Sequence, residues 1–163
     1  MIIVSKSGLL EFETLKFKCA TGKAGIGNKK KEGDKITPRG IYKLIKIYYR
    51  RDRIKKIKSK LKLIRINKRM GWCNDPISEN YNKLINLPSK YSHEKLYRDD
   101  HLYDIIIVIN FNMSPVVKNK GSAIFIHIAK KDYLPTEGCL GLKKKDLIML
   151  IEHINKNQII KII

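Results

Sequence analysis

Ile105-Ile106-Ile107-Val108-Ile109 sets five β-branched residues in succession. Branching at Cβ stiffens the side chain, suits a pleated surface and disfavours a helix. A membrane helix needs about 18 apolar residues, so this run is strand-sized. It reads as a strand buried in a core, and Ala123 to Ile128 reads as a second. Shorter strands fit around them. Ile2-Ile3-Val4 and Leu9 to Phe12 flank a Lys6-Ser7-Gly8 turn, Leu15 to Ala20 alternates at period two, and Ile41 to Tyr49 and Leu61 to Ile66 follow. Leu147, Ile148, Leu150, Ile151 and Ile154 fall at helical spacing, and Ile159 to Ile163 closes the chain as a strand. The expected fold is α+β, mainly β, with one prominent helix. At 163 residues and 43% hydrophobic content the chain suits one globular domain over residues 1–163.

Two stretches break the strand pattern. Gly22 to Gly40 holds five glycines and Pro38 and reads as a loop ending in a Thr37-Pro38-Arg39-Gly40 turn. From Arg69 to Leu102 there is no periodicity. Such long excursions in small domains are usually functional or disordered. Trp72, Tyr81, Tyr91 and Tyr97 favour order, so 69–102 is expected to form a lid or substrate-binding excursion. Within it, Met70 to Pro76 reads either as a substrate wall around Trp72 or as a loop anchored by one aromatic. Ser92-His93-Glu94 reads as a surface turn or as a second acid/base element.

The net charge is +20, with 28 lysines against seven arginines. Such a surface attracts polyanions, whether nucleic acid or an anionic wall polymer, although a solvated lysine coat gives the same composition. Met1 to Lys6 does not read as a secretory signal. The cysteines, Cys19, Cys73 and Cys139, are odd in number and widely spaced, which argues against a disulfide framework. No metal-ligand spacing appears, and no cofactor is expected.

The chemistry concentrates in Ile124-Phe125-Ile126-His127 and Thr136-Glu137-Gly138-Cys139-Leu140-Gly141. A histidine ends a buried strand, and eleven residues separate it from a cysteine flanked by small residues. A nucleophilic thiol needs a base and backbone N–H groups facing the developing oxyanion. Gly138 permits the tight turn that would aim such amides. A packed histidine and an inert buried thiol satisfy the same pattern.

Read together, Gly121 to His127 followed by Thr136-x-Gly138-Cys139 resembles the active-site signature of the L,D-transpeptidases. Thr21-Gly22-Lys23 and Thr37-Pro38-Arg39-Gly40-Ile41-Tyr42 resemble that family's upstream stretch. The resemblance runs from about residue 20 to 142. It implies a β-sandwich with a helix after the cysteine, Cys139 as nucleophile and His127 as general base. It also implies that Thr136 orients the imidazole through its main-chain carbonyl, and that Gly138 and Cys139 supply oxyanion N–H groups. The implied substrate is a peptidoglycan stem peptide. Its L-centre–D-Ala bond would be exchanged for a bond to an amine of a second stem, or hydrolysed by water on the same intermediate. A periplasmic or cell-envelope location follows from that substrate. Glu137 stands where the family usually has histidine, and Gly141 where it often has arginine or asparagine. Another group must then hold the substrate carboxylate; Arg39, Arg69 and Arg98 are candidates. A basic nucleic-acid-binding module over Arg50 to Arg69 is the rival reading, though no nucleic-acid motif appears and none is expected as partner.

Overall fold

The computed structural model describes residues 1–163. In chain order the strands are β1 (Ile2–Ser5), β2 (Leu9–Phe12), β3 (Leu15–Lys18), β4 (Ile26–Gly27), β5 (Thr37–Pro38), β6 (Gly40–Tyr49) and β7 (Leu63–Arg65). They continue as β8 (Met70–Cys73), β9 (Leu84–Asn86), β10 (His93–Lys95), β11 (Ile105–Ile109), β12 (Phe125–Ile128), β13 (Leu140–Leu142) and β14 (Ile159–Ile162). The one α-helix, α1 (Lys144–His153), lies between β13 and β14. The α+β, mainly β expectation holds.

The main sheet runs β13-β12-β11-β6-β14-β1-β2-β3. Strand β6 joins its two halves. Gly40 to Lys43 pair with β14, whereas Leu44 to Tyr49 pair with β11, where the register shifts between Ile107 and Ile109. A long strand shared in this way lets the sheet turn over a single core. That core holds 27 buried residues, with α1 contributing Leu147, Leu150 and Ile151.

The isoleucine run is apolar throughout because both of its faces are covered. Ile105, Ile107 and Ile109 point into the main core. Ile106 and Val108 point into a second cluster with Trp72, Leu96, Tyr103, Phe125 and Cys139. That second face is roofed by the 69–102 excursion. Two expectations of irregular structure are corrected here. Residues 69–102 contain a three-stranded sheet, β10-β8-β9, and the glycine loop contains the parallel β4–β5 pair. These strands are two to four residues long, too short for a visible period.

Asn82 ties the excursion to the main sheet. Its Oδ1 accepts from Trp72 Nε1 and from the Ala123 amide, both at 3.0 Å, and its Nδ2 donates to the Phe111 and Asn112 carbonyls. All four bonds are buried or partly buried. Replacing Asn82 by Ala strands donors and acceptors that cannot reach water. We expect a stability loss of about 2–4 kcal/mol in urea unfolding, from several unmet groups at roughly 1–3 kcal/mol each. A loss under 0.5 kcal/mol would show that this anchor is not structural.

Candidate active site

Strand parity brings His127 and Cys139 to one face. Ile124, just before β12, and Ile126 and Ile128 within it enter the main core. Phe125 and His127 therefore face the excursion. Strand β13 runs parallel to β12, with Ile126 opposite Leu140 and His127 opposite Gly141. Cys139 thus falls beside Phe125, one step along the same face from His127. Both line a cavity of about 400 Å³ together with Lys29, Glu94, Arg98 and Ser122.

The Cys139 turn is held by the glycine-rich segment upstream. The Gly22 amide donates to Thr37 Oγ1 at 2.7 Å, and that hydroxyl donates to the Gly138 carbonyl at 2.9 Å. Main-chain bonds from Lys23 N to Thr136 O and from Thr136 N to Thr21 O flank it, and Ala20 and Gly141 exchange both of theirs. A Cβ on Gly22 would lie 2.2 Å from the Lys35 carbonyl oxygen, so only glycine fits this approach. Gly138 has φ +133°, and a Cβ there would lie 2.9 Å from the Ile36 carbonyl oxygen. Both the conformation and the space demand glycine.

The thiol sits at the end of this turn. Cys139 Sγ donates to the Ala123 carbonyl at 3.1 Å and accepts from the Phe125 amide at 3.4 Å. Ala123 itself holds φ 52°, a left-handed conformation that is uncommon for a residue with a Cβ. His127 Nδ1 lies 2.8 Å from the Ile128 carbonyl oxygen. A carbonyl only accepts, so Nδ1 carries the proton and Nε2 is the basic nitrogen. Tyr103 packs edge-on against the imidazole at 5.4 Å, and its hydroxyl donates to Glu94.

The electrostatics keep both groups neutral. Burial, reinforced by the Glu94 carboxylate, pushes the Cys139 thiol up to about 12. Burial lowers His127 to about 4, against the opposing pull of the Ile128 carbonyl. The resting site is a thiol and a neutral imidazole, not a thiolate–imidazolium pair.

The amino-acid likeness now has a structural counterpart. A profile of the L,D-transpeptidase catalytic domain (YkuD) matches residues 2–162, nearly the whole chain. The chain belongs to the L,D-transpeptidase catalytic domain family. Among solved structures, the fold of this L,D-transpeptidase domain is similar to that of the helical cell shape determining protein Pgp2 from Campylobacter jejuni. That pair has a TM-score of 0.51 at 15% identity, covering 99% of this chain and 46% of that one. L,D-transpeptidase 1 of Mycobacterium tuberculosis matches with a TM-score of 0.44 at 10% identity, over 99% of this chain and 60% of that one. An L,D-transpeptidase from Mycobacterium smegmatis matches with a TM-score of 0.45 at 12% identity, over 99% and 57%. The chain therefore spans less than half the length of the Campylobacter protein. No curated protein matches it by sequence.

Several expected site residues lie elsewhere. Trp72 does not wall the cavity; it is buried against Phe125, with ring centroids 5.2 Å apart. Arg39 and Arg69 are exposed and do not line the cavity. His93 bonds to the Tyr91 carbonyl and pairs with Cys73 across β8–β10, away from the cavity lining. Arg98 and Glu137 do line it, with Glu137 3.8 Å from Lys35. The Thr136 carbonyl accepts from Lys23 rather than from His127. Its hydroxyl instead donates to the Cys139 carbonyl at 2.6 Å and accepts the Gly138 amide at 3.1 Å. Gly138 N–H is therefore already committed, whereas the Cys139 amide has no hydrogen-bond partner in the protein. Lys29, Glu32, Tyr103 and Lys130 are lining residues that the sequence did not single out, whereas Glu94 stood within Ser92-His93-Glu94 and Ser122 within the Gly121 to His127 signature. The sole sequence signal for Lys29 was its place in the glycine loop.

Two outcomes follow from these ionisation states. At pH 7 the Cys139 thiolate fraction is roughly 10³-fold below that of a free cysteine, so iodoacetamide should alkylate the protein slowly and faster as pH rises. Rapid labelling at pH 7 that Cys139→Ala abolishes would contradict this. The second outcome concerns His127, whose pKa is depressed on folding. Its stabilising contribution is full above the unfolded value of about 6.5 and is lost as pH falls towards 4, because only the unfolded chain takes up the proton. The total is on the order of 3 kcal/mol. His127→Gln should flatten that part of the acid destabilisation between pH 7 and 4; parallel curves for the two proteins would refute it.

Proposed function

We propose that this domain is a cysteine acyltransferase acting on peptidoglycan stem peptides, with Cys139 as nucleophile and His127 as base. The observation that carries the reading is the Cys139–His127 pair on one strand face, in one cavity, within an L,D-transpeptidase catalytic domain. Sγ attacks the carbonyl carbon of the L-centre–D-Ala bond while its proton passes to His127 Nε2. The Cys139 amide, free of any other bond, receives the oxyanion. His127 then gives the proton to the departing D-Ala nitrogen as the C–N bond breaks, which leaves a thioester. An amine of a second stem attacks that thioester, passes its proton to Nε2 and restores the thiol. Water in place of the amine would give the trimmed stem, a carboxypeptidase outcome from the same thioester.

The Ile128 carbonyl, in place of that of Thr136, holds the imidazole in the tautomer this cycle requires. The 69–102 excursion acts as the lid, contributing Asn74, Glu94 and Arg98 to the cavity. The substrate places the enzyme in the periplasm or cell envelope, and the basic surface suits an anionic wall polymer. No helix is long and apolar enough to cross a membrane.

Intact-mass spectrometry after mixing with a stem tetrapeptide tests the reading. The expected result is a mass gain equal to the tripeptide acyl group, absent from Cys139→Ala and retained by Cys19→Ala and Cys73→Ala. His127→Gln should slow acylation by about 10²–10⁴-fold with little effect on peptide affinity. An amine acceptor that shifts the product from trimmed to cross-linked peptide identifies transpeptidation. Full turnover by Cys139→Ala would end the proposal.

A further inference from the structure

The imidazole of His127 is hydrogen-bonded at one nitrogen, Nδ1, to the Ile128 carbonyl at 2.8 Å. That bond selects the tautomer but leaves the ring free to tilt about the bonded nitrogen, and Nε2 lies on the far side of this pivot. The direction of Nε2 must therefore be set by packing. Tyr103 supplies the contact, with ring centroids 5.4 Å apart and planes at 64°, within the range of a favourable edge-to-face pair.

Tyr103 is itself fixed from several directions. It is buried, and the neighbouring Leu102 carbonyl accepts from the Ile128 amide at 3.0 Å, which ties its backbone to the strand that carries His127. Phe125 packs against its ring at 6.0 Å, and the Arg98 guanidinium, held by both oxygens of Asp100, stands 5.0 Å from its centroid. The hydroxyl donates to Glu94. Burial and that carboxylate raise Tyr103 well above the ordinary phenol value, so the hydroxyl keeps its proton and is the donor. Glu94 comes from the lid. It lies on β10 opposite Trp72 of β8, whose indole is anchored by Asn82. Glu94 forms no salt bridge, and its one side-chain hydrogen bond is the one from Tyr103. A line of contacts thus runs from the lid sheet through Glu94 and Tyr103 to the imidazole.

We infer that Glu94 and Tyr103 are positioning residues, a clamp by which the seated lid holds His127 with Nε2 directed at the thiol. This rests on the acyltransfer reading above. The hydroxyl bond to Glu94 fixes where the Tyr103 ring stands, and the ring fixes the tilt of the imidazole. A small tilt matters because general-base transfer needs the base within hydrogen-bond reach of the proton it takes. The clamp works through the hydrogen bond and not through the charge of Glu94. Glutamine offers an acceptor of the same reach without the charge, so it separates the two roles.

The test uses the full chain and a stem tetrapeptide. Acylation rates come from quenched-flow intact mass, peptide affinity from calorimetry on the same variants carrying Cys139→Ala, and the His127 tautomer from long-range proton–nitrogen NMR. Tyr103→Phe keeps the ring and should fold. It and Glu94→Ala should each slow acylation about tenfold, the worth of one charge-assisted hydrogen bond, with peptide affinity little changed. The double variant should be no slower than either single one, because both remove the same bond. Glu94→Gln should keep most of the rate. The native protein should show the Nδ1–H tautomer alone, and Tyr103→Leu, which removes the ring contact, should admit the other. A purely structural tie would lower the unfolding free energy and leave rate and tautomer unmoved, which overturns the clamp. Glu94→Gln as slow as Glu94→Ala overturns it too, by assigning the effect to charge, as do losses that multiply in the double variant. These failures are separable from failure of the acyltransfer reading. Thioester formation at an unchanged rate in Tyr103→Phe and Glu94→Ala keeps the enzyme and removes the clamp, whereas a Tyr103-dependent tautomer without any thioester keeps the clamp and removes the enzyme.

Discussion

Thr37 is fully buried, and its hydroxyl bridges two distant parts of the chain. It accepts from the Gly22 amide and donates to the Gly138 carbonyl, 101 residues away in sequence. The position of the cysteine turn rests on this contact. It lets the glycine loop dock under the cysteine turn and fixes the Gly138 carbonyl, next to a Cys139 amide that has no hydrogen-bond partner in the protein. It also explains why a Thr-Gly and a Thr-Pro element accompany the cysteine signature. They build the support of the turn and do not line the cavity.

The site and its support were legible in the sequence to different degrees. His127 and Cys139 stood out because strand-end and turn chemistry leave local marks: an apolar run before the histidine and glycine before the cysteine. The isoleucine run announced a buried strand because it is covered on both sides. The three short strands between Met70 and Lys95 left no such mark, since three or four residues cannot display a period. Trp72 was read as a possible cavity wall because an aromatic in a polar stretch looks available. Its burial depends on Asn82, a partner ten residues on that no local pattern reveals. Lys29 was hidden by the lysine excess, because one buried, cavity-lining cation among 28 cannot be told apart by composition. Only its buried placement beside Gly138, paired with Asp34, distinguishes it.

The charge states constrain the chemistry as firmly as the distances. A free thiol raised to about 12 and an imidazole lowered to about 4 cannot hold a resting ion pair, because transferring the proton would bury two charges. In the proposed acyl transfer the proton therefore moves as the carbon–sulfur bond forms. Burial thus keeps the thiol protonated, and the proposed reaction requires a carbonyl held beside the imidazole.

That coupled transfer is the centre of the account, and pre-steady-state acylation by a stem tetrapeptide tests it most directly. Rates would be followed from about pH 5 to 10 in light and heavy water, for the native protein and for His127→Gln. The account predicts a nearly flat profile above pH 5, a rate reduction in heavy water, and a large loss of rate in His127→Gln. A rate that climbs tenfold per pH unit towards ionisation of the thiol, unaffected by heavy water and unchanged in His127→Gln, would contradict it.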